Sequence, residues 1–346
     1  MTKLAVIFSS LCLTFASFVN ASSFVLNDYN LIAIGDVNSR SLHVHGNAFI
    51  GGDLNAGNAT IGNDIDNTVA LELAGSLDRN LTVNGSNNTV QVSGTPVVNS
   101  GNSNQVTVNG NTIQGAASVT QNTSLSDKAD SIAAEITAVS NDFSNLDATG
   151  EVDVKGRNQG STDTITIDSQ NIDENGFAVF ELGTATASGE NSYLVDNTNK
   201  NLEVIYNLSN DTIDDLSAII INVPGTTIDF SDNNNKISAN SFLSSDEGRS
   251  KVVWNFYEAT TITLSSNFYG NILAPLAVLT SNSNIDGSVA VYGISEQHSG
   301  EIHLPNADLT ASTGSGPDPV TVPEPSTLIL LAGALFFILR KKIQLA

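Results

Sequence analysis

Short runs in which apolar and polar residues alternate are the commonest pattern between residues 23 and 309, and many end in Asn-Gly or Gly-Asn. Examples are Leu42–Asn47, Leu81–Gly85 and Val106–Gly110. Alternation with period two predicts strands with one buried face, and Asn and Gly tolerate the positive φ of a tight corner. The run Ile219–Ile221 is continuously apolar, which predicts a strand that is buried on both faces.

Repeated short strands with such corners predict a mainly all-β fold, in which a β-solenoid or β-helix-like body is built from stacked coils. A β-sandwich is the alternative, since regularly spaced turns suit it as well. Further strands are predicted in the second half of the chain, at Asp163–Asp168, Phe177–Leu182, Leu202–Asn207, Ala218–Val223, Lys251–Phe256 and Thr261–Leu264.

One segment departs from the strand pattern. Its apolar residues recur at helical spacing, and they are Leu125, Ala129, Ile132, Ala133, Ile136, Val139, Phe143 and Leu146. The spacing predicts an amphipathic helix over about residues 126–145, with Ser124 as N-cap and Asp127 three residues later. We expect its apolar stripe to cover an end or a flank of the β core. A partner-binding helix is the alternative.

The first 21 residues have the features of a secretory signal peptide. Lys3 gives a positive start, Leu4–Phe18 is mostly apolar, and small residues precede a predicted signal peptidase cleavage site after Ala21. A first transmembrane helix is the alternative, which the shortness of the run disfavours. The cleavage would remove Cys12, the only cysteine, so the mature chain is expected to have no disulfide and no Cys-bound metal.

The C-terminal end contains three ordered features. A Gly/Pro/Ser/Thr linker at residues 311–321 leads to residues 322–346, where an apolar run, Leu328–Leu339, follows a proline motif. As a helix that run would rise only about 18 Å, against a hydrocarbon core of about 30 Å. It therefore predicts a transient inner-membrane stop, with an ordinary single-pass anchor as the alternative. The basic stop residues, which would stay cytoplasmic, are Arg340, Lys341 and Lys342.

This order of features resembles the PEP-CTERM sorting signal of Gram-negative bacteria. The sorting motif consists of Val322, Pro323, Glu324, Pro325 and Ser326. The resemblance implies that an exosortase in the inner membrane recognises the tail. It also implies an organism that makes an exopolysaccharide matrix, and therefore exopolysaccharide as a partner.

Acidic residues outnumber basic ones, 36 to 13, for a formal net charge of -23. Such a surface repels nucleic acid and anionic membranes. It suits an extracellular body, and it excludes a nucleic-acid-binding role.

The body, residues 22–310, resembles the choice-of-anchor A domain family. The matching stretches are Tyr29–Asp36, Val44–Leu54, Ile221–Gly225, Trp254–Phe256, Gly270–Pro275, Ile285–Ala290 and Gly300–His303. Leu276 departs from the family, which usually has a polar residue after Ala-Pro. The resemblance implies an adhesin-like role at the surface or in the matrix, and it transfers no catalytic residue.

His43 and His45 lie two residues apart in a predicted strand and would share a face. We interpret them as surface strand residues. The alternative is a two-histidine metal site that the fold completes with Asp53 or Glu301.

The run Asn171–Gly176 partly matches a calcium-binding loop. Leu182 stands at position twelve, where the loop needs Glu, and a turn between Asp168 and Phe177 explains the same residues. The scattered Thr-x-Thr runs raise ice binding as a weaker hypothesis, and they are Thr164–Thr166, Thr184–Thr186 and Thr261–Thr263.

No catalytic, cofactor or metal site is predicted, and the chain is not expected to be an enzyme. The function that the sequence favours is that of an exported, structural or adhesin-like protein of the cell surface or exopolysaccharide matrix. The alternatives are a surface module that binds polysaccharide, calcium or ice and, less favoured, an extracellular hydrolase.

Overall fold

Parallel β-strands stacked coil upon coil make up most of the computed structural model, which describes residues 24–99, 105–155, 162–196, 201–207, 216–231, 236–239 and 241–310. The strands that precede the long helix are β1 Leu31–Ala33, β2 Val37–Ser39, β3 His43–Val44, β4 Ala48–Ile50, β5 Leu54–Ala56, β6 Ala59–Ile61, β7 Val69–Leu73, β8 Leu81–Val83, β9 Thr89–Val92, β10 Val97–Val98, β11 Gln105–Val108, β12 Asn111–Gln114 and β13 Ser118–Gln121.

The strands that follow the long helix are β14 Val152–Asp153, β15 Thr162–Ile167, β16 Phe177–Glu181, β17 Asn201–Tyr206, β18 Ala218–Asn222, β19 Thr227–Phe230, β20 Lys236–Ile237, β21 Val252–Asn255, β22 Thr261–Leu264, β23 Phe268–Tyr269, β24 Asn271–Ser281, β25 Ile285–Asp286, β26 Val289–Ile294 and β27 Glu301–His303. The α-helices are α1 Val25–Asp28, α2 Leu125–Ser144, α3 Ser192–Asp196 and α4 Asp246–Lys251, and a 3-10 helix spans Ser241–Ser244.

The strands form three sheets. Sheet A has the order β13-β9-β7-β4-β1-β26-β24-β21-β18-β16, with β2, β5, β19 and β22 joined to its side; sheet B has the order β10-β11-β12-β8-β6-β3-β27-β25-β23, and sheet C is β14-β15-β17-β20. Among the described residues only the pairs β10–β11, β11–β12 and β14–β15 are antiparallel. Stacked parallel strands confirm the predicted β-helix-like body and set aside the sandwich, whose sheets are antiparallel.

The two halves of the chain meet in the middle of the stack. From β1 the coils proceed outward to β13, helix α2 follows, and the coils then run inward from β16 to β26. The halves close on each other where β1 pairs with β26 (Leu31 with Val289) and β3 pairs with β27 (Val44 with Ile302). The last strand of the body is therefore held beside one of the first.

Sheet A is buried on both faces where helix α2 crosses it. Ile219 and Ile221 face the interior between the sheets, whereas Ile220 packs in a second apolar cluster with α2. This arrangement confirms that the Ile219–Ile221 strand is buried on both faces. It also confirms that α2 covers a flank of the β core, since its stripe contributes buried Ile136 and Phe143.

The predicted helix is confirmed with a shift of one residue at each end, because it spans Leu125–Ser144. Ser124 occupies the N-cap position, as predicted. Its side chain makes no cap hydrogen bond, because its hydroxyl donates to Asn122 Oδ1 at 2.7 Å instead.

The predicted strands after α2 are all found, with ends that differ by about one residue. Lys251 ends helix α4 instead of beginning a strand. That helix is capped by Ser245, whose Oγ accepts a hydrogen bond from Gly248 N at 3.0 Å. An Asn-Gly corner also behaves as predicted, since Asn109 has φ 50° and Gly110 has φ 83°.

The signal peptide with its cleavage site at Ala21, the linker and the tail from Val322 to Ala346 lie outside the described residues. Within the part that the structure describes, no helix is long and apolar enough to cross a membrane. The transient membrane stop therefore stays a prediction.

Candidate functional site

Three of the four histidines of the chain meet on the outer face of sheet B. His43 and His45 come from β3 and the residue after it, and Glu301 and His303 come from β27, which pairs with β3. We call His43, His45, Glu301 and His303, with the flanking Asp64 and Asp286, the histidine cluster.

The cluster follows from two copies of one local pattern. In both His43-Val44-His45 and Glu301-Ile302-His303, an apolar residue separates two titratable ones. Val44 and Ile302 are fully buried in the core. Because side chains alternate along a strand, their neighbours must point outward. The pairing of Val44 with Ile302 then brings the two outward pairs together.

Glu301 lies at the centre of the cluster. Its Oε2 is 3.1 Å from His303 Nε2 and 3.3 Å from His45 Nε2, and its Oε1 is 3.3 Å from His43 Nδ1. The hydrogen bond with His303 is the largest cause that lowers the pKa of Glu301 to about 2, with smaller contributions from His43 and His45 against partial burial. Glu301 is thus ionised over the physiological range of pH.

Two outer carboxylates fix the other edges of the imidazole rings. Asp64 Oδ2 is 2.6 Å from His45 Nδ1, and Asp286 Oδ1 is 2.8 Å from His303 Nδ1. Asp286 is held in turn by Arg249, whose Nη1 is 3.4 Å from Asp286 Oδ2. Each of the two rings is therefore anchored through Nδ1 and presents Nε2 to Glu301.

The ligand atoms of His45, Glu301 and His303 all lie within 4.8 Å of one another. Two imidazoles and one carboxylate are a ligand set that transition metals use in proteins. Of the residues considered as possible metal partners of His43 and His45, the structure brings Glu301 to them. Asp53 lies elsewhere, in a turn where its Oδ1 accepts a hydrogen bond from Ser76 N at 2.7 Å.

Sequence reasoning missed His303, Asp64 and Asp286. The repeated spacing of the two patterns could have pointed to His303, since both place polar residues on one face of a strand. The partnership itself is not visible in the sequence, because His45 and Glu301 are 256 residues apart.

A second feature lies on sheet A, beyond the part that α2 covers. Here β19, β22, β24, β26, β2 and β5 lie side by side in parallel. The outward side chains, which we call the open face, are Asn38, Asn55, Thr227, Asp229, Thr261, Thr263, Leu276, Val278, Thr280, Tyr292 and Ser295.

The open face is rich in hydroxyl and amide groups in register. Thr263 pairs with Asp229 on one side and with Thr280 on the other. Thr280 Oγ1 is 2.6 Å from Ser295 Oγ. The largest exposed apolar side chains on the face are Leu276 and Tyr292, at 52% and 51%.

The three Thr-x-Thr runs lie in different places. Thr261–Thr263 is on the open face, Thr164–Thr166 is on β15 of sheet C, and Thr184–Thr186 lies outside the strands. Asp173 forms a turn in which its Oδ1 accepts hydrogen bonds from Asn175 N and Phe177 N, each at 2.8 Å. The turn interpretation of the calcium-like run therefore accounts for these residues.

Comparison with protein families gives two matches. Residues 24–304 match the family described as "Putative Ice-binding-like adhesive domain", and residues 321–342 match the PEP-CTERM protein-sorting motif. The second match confirms the expected sorting motif, and together the two indicate an exported surface protein.

Comparison with individual proteins adds little. No curated protein matches the chain. An ice-binding protein from the Antarctic ascomycete Antarctomyces psychrotrophicus is similar over 82% of this chain and 97% of its own, with 10% identity and a TM-score of 0.28. A TM-score of this size does not establish a common fold. The family match, which covers most of the described body, does show the family: the chain belongs to the ice-binding-like adhesive domain family.

Proposed function

We propose that this chain is an exported, non-catalytic adhesive protein of the cell surface or exopolysaccharide matrix, that an exosortase sorts it, and that it is a choice-of-anchor A protein. The observation that carries the proposal is the order of the two family matches. An adhesive domain at residues 24–304 is followed, after a short linker, by a sorting motif at residues 321–342.

The open face is the surface through which we expect adhesion to occur. Six strands present their outward side chains there in a broad array, and the family is one of adhesive domains. Leu276 and Tyr292 are about half exposed. Large apolar residues of the same sheet that lie under α2 are buried, as Leu273 is at 1% exposure. An extended face suits an extended ligand, whereas a small molecule needs a concave site.

The ligand that this surface favours is a neutral polysaccharide. Rows of Thr, Ser and Asn offer both hydrogen-bond donors and acceptors to hydroxyl groups, and Tyr292 offers an amphipathic ring. A net charge of -23 opposes an anionic polysaccharide. Ice is the second candidate, because Thr227 pairs with Thr261, and Thr263 with Thr280, on neighbouring strands.

The sorting role is tested by substituting prolines inside and outside the motif. Pro325→Ala, in the motif, should leave the chain unprocessed and reduce its amount at the cell surface, as should deletion of residues 322–346. Pro319→Ala, in the linker, is the matched control and should be sorted normally. Surface fractionation with immunodetection measures both, and normal sorting of Pro325→Ala and of the deletion would contradict the sorting role.

The adhesive role is tested by placing a bulky residue on the open face. Thr263→Tyr should weaken binding of the full chain to a neutral polysaccharide at least tenfold without lowering its melting temperature. Thr166→Tyr is the matched control, because Thr166 is a half-buried strand residue of another sheet. Growth of ice crystals in the presence of each variant is measured in parallel, and an effect confined to ice would replace polysaccharide by ice as the ligand. Equal polysaccharide binding by wild type and both variants, with no effect on ice, would remove the open face from the proposal.

A further inference from the structure

We infer that His45, Glu301 and His303 form a site for a divalent transition-metal ion of the Zn²⁺ class, and that the ion fastens the last strand of the body to one of the first. This inference is independent of the adhesive role. It departs from the prediction, made from the sequence, that the chain holds no metal.

Two of the three separations in the cluster match those between ligands of one ion, and the third, between the two histidine nitrogens, is no more than 4.8 Å. Bonds of about 2.0–2.2 Å at a tetrahedral angle place a nitrogen and an oxygen ligand roughly 3.4 Å apart. Glu301 Oε2 lies 3.3 Å from His45 Nε2 and 3.1 Å from His303 Nε2. Only small side-chain movements are needed to admit an ion between them.

The orientation of the two rings suits a shared ion. In both rings Nδ1 faces an outer carboxylate, Asp64 or Asp286, and Nε2 faces Glu301. When an imidazole donates its one N–H from Nδ1 to that carboxylate, its Nε2 lone pair is free to bind a metal ion. Without an ion, an Nε2 proton makes the hydrogen bond to Glu301, and a bound ion would replace that proton.

The outer carboxylates are the arrangement that supports histidine ligands in known metal sites. A ligating histidine almost always donates its other N–H to a carboxylate, a carbonyl or water, which fixes the ring and raises its basicity. Here both histidines have a carboxylate in that position, and Arg249 holds one of the two carboxylates in turn. His43 contacts the second oxygen of Glu301 and orients it.

The donor set selects the metal. Imidazole nitrogen suits Zn²⁺, Cu²⁺ and Ni²⁺, whereas Ca²⁺ and Mg²⁺ prefer oxygen ligands alone. With three protein ligands the ion keeps an open position for water. We therefore expect Zn²⁺ to bind and Ca²⁺ not to compete with it.

The position of the site gives the ion a structural role. His45 follows β3, and Glu301 and His303 are the two ends of β27. The pairing of these strands closes the two halves of the chain on each other. An ion held by residues of both strands would therefore reinforce this closure.

Binding is tested on the full chain, purified in mild detergent and freed of metal with a chelator. Titration with Zn²⁺ followed by calorimetry should show one ion per chain. Co²⁺ in its place should develop the intense visible absorption of a four- or five-coordinate site. A tenfold excess of Ca²⁺ should leave the Zn²⁺ titration unchanged. Absence of saturable Zn²⁺ binding together with absence of the Co²⁺ absorption would overturn the inference.

The ligands are tested by single substitutions. His303→Gln and Glu301→Gln should each weaken Zn²⁺ binding more than a hundredfold, and His43→Gln should weaken it by roughly 10–100-fold as an outer partner. Glu296→Gln, an exposed carboxylate outside the cluster, is the matched control and should bind as the wild type does. If His303→Gln does not fold, the Co²⁺ spectrum of wild type and of Glu301→Gln decides instead. Binding that none of these substitutions weakens would place the ion elsewhere and overturn the site.

The fastening role is tested by hydrogen exchange on the wild-type chain. Zn²⁺ should slow exchange of the amides in β27 and β3, and exchange in sheet C should not change. Equal rates in β27 with and without bound Zn²⁺ would refute the fastening role.

Discussion

Strand β24 passes through two different environments within eleven residues. At its start Ile272, Leu273 and Ala274 are buried, and helix α2 packs on the outer side of the sheet where Leu273 lies. After Pro275 the outward residues, Leu276 and Val278, are exposed. The same strand thus belongs first to a two-sided core and then to the open face.

The comparison of two outward leucines of β24 shows what the helix contributes: Leu273 is buried where α2 covers the sheet, and Leu276 is 52% exposed where it does not. The inner face is continuous, because Ile272, Ala274, Ala277 and Leu279 all belong to the cluster between the sheets. The outer face differs in having α2 over one part, where outward residues such as Ile220 and Leu273 are apolar. In the covered half the outward side chains are buried against α2 and removed from water. In the open half they remain exposed and available for a ligand.

The largest expected effect is on stability, and it distinguishes Leu→Ala substitutions in the two halves of β24. Leu273→Ala removes a side chain that is 1% exposed, and it should lower the free energy of unfolding by about 2–5 kcal/mol. Leu276→Ala removes one that is 52% exposed, and it should change that free energy by no more than about 0.5 kcal/mol. Urea unfolding followed by circular dichroism measures both. Equal losses in the two variants would show that α2 does not divide the sheet in this way.

Much of the fold is predictable from the sequence because its elements are local. Alternation and Asn-Gly corners indicate the strands, and helical spacing indicates α2 within one residue at each end. The pairing of strands is not local. No feature of Leu31 or Val289 indicates that they are partners, because the coils that separate them run outward and return.

The candidate site is less predictable for the same reason. His43 and His45 can be placed on one face from their spacing alone. Glu301 and His303 join them only through the closure of β3 on β27, which depends on the whole stack. The open face is also invisible locally, since Thr261–Thr263 and Thr164–Thr166 have the same pattern and only the fold distinguishes their positions.

The open half of sheet A has no helix over it, and a buried histidine at its end contributes to its stability. His298 lies fully buried at the end of this region, where its Nδ1 accepts a hydrogen bond from Ser281 N at 3.2 Å. Burial lowers the pKa of His298 to about 4, against a smaller opposing effect of a backbone hydrogen bond with Gly300. The unfolded chain therefore takes up this proton at a higher pH than the folded chain does.

The stability that His298 contributes therefore depends on pH. The contribution of His298 is present in full above the unfolded pKa of about 6.5, and stability is lost as the pH falls from there to about 4. The loss should approach roughly 3 kcal/mol. His298→Gln should reduce the difference in unfolding free energy between pH 7 and pH 4.5, and Glu296→Gln should leave it as in the wild type. A pH dependence that His298→Gln does not alter would contradict the role of this histidine.

The smallest expected effect concerns what fixes α2 on the covered half. Ser140 Oγ donates to Asn255 Oδ1 at 2.7 Å, and Asn255 Nδ2 donates to the Ser140 carbonyl at 2.9 Å and to Asn222 Oδ1 at 2.8 Å. All three residues are buried, so Ser140→Ala leaves an acceptor of Asn255 unsatisfied and should cost about 1–3 kcal/mol. Ser131→Ala, on the exposed side of the same helix, should cost no more than about 0.5 kcal/mol. Chemical unfolding distinguishes the two. Ser140→Ala should also speed hydrogen exchange in α2. An unchanged exchange rate would show that the apolar stripe and the remaining bonds, from Asn255 Nδ2 to the Ser140 carbonyl and from Asn222 Nδ2 to the Phe143 carbonyl, are sufficient to hold the helix.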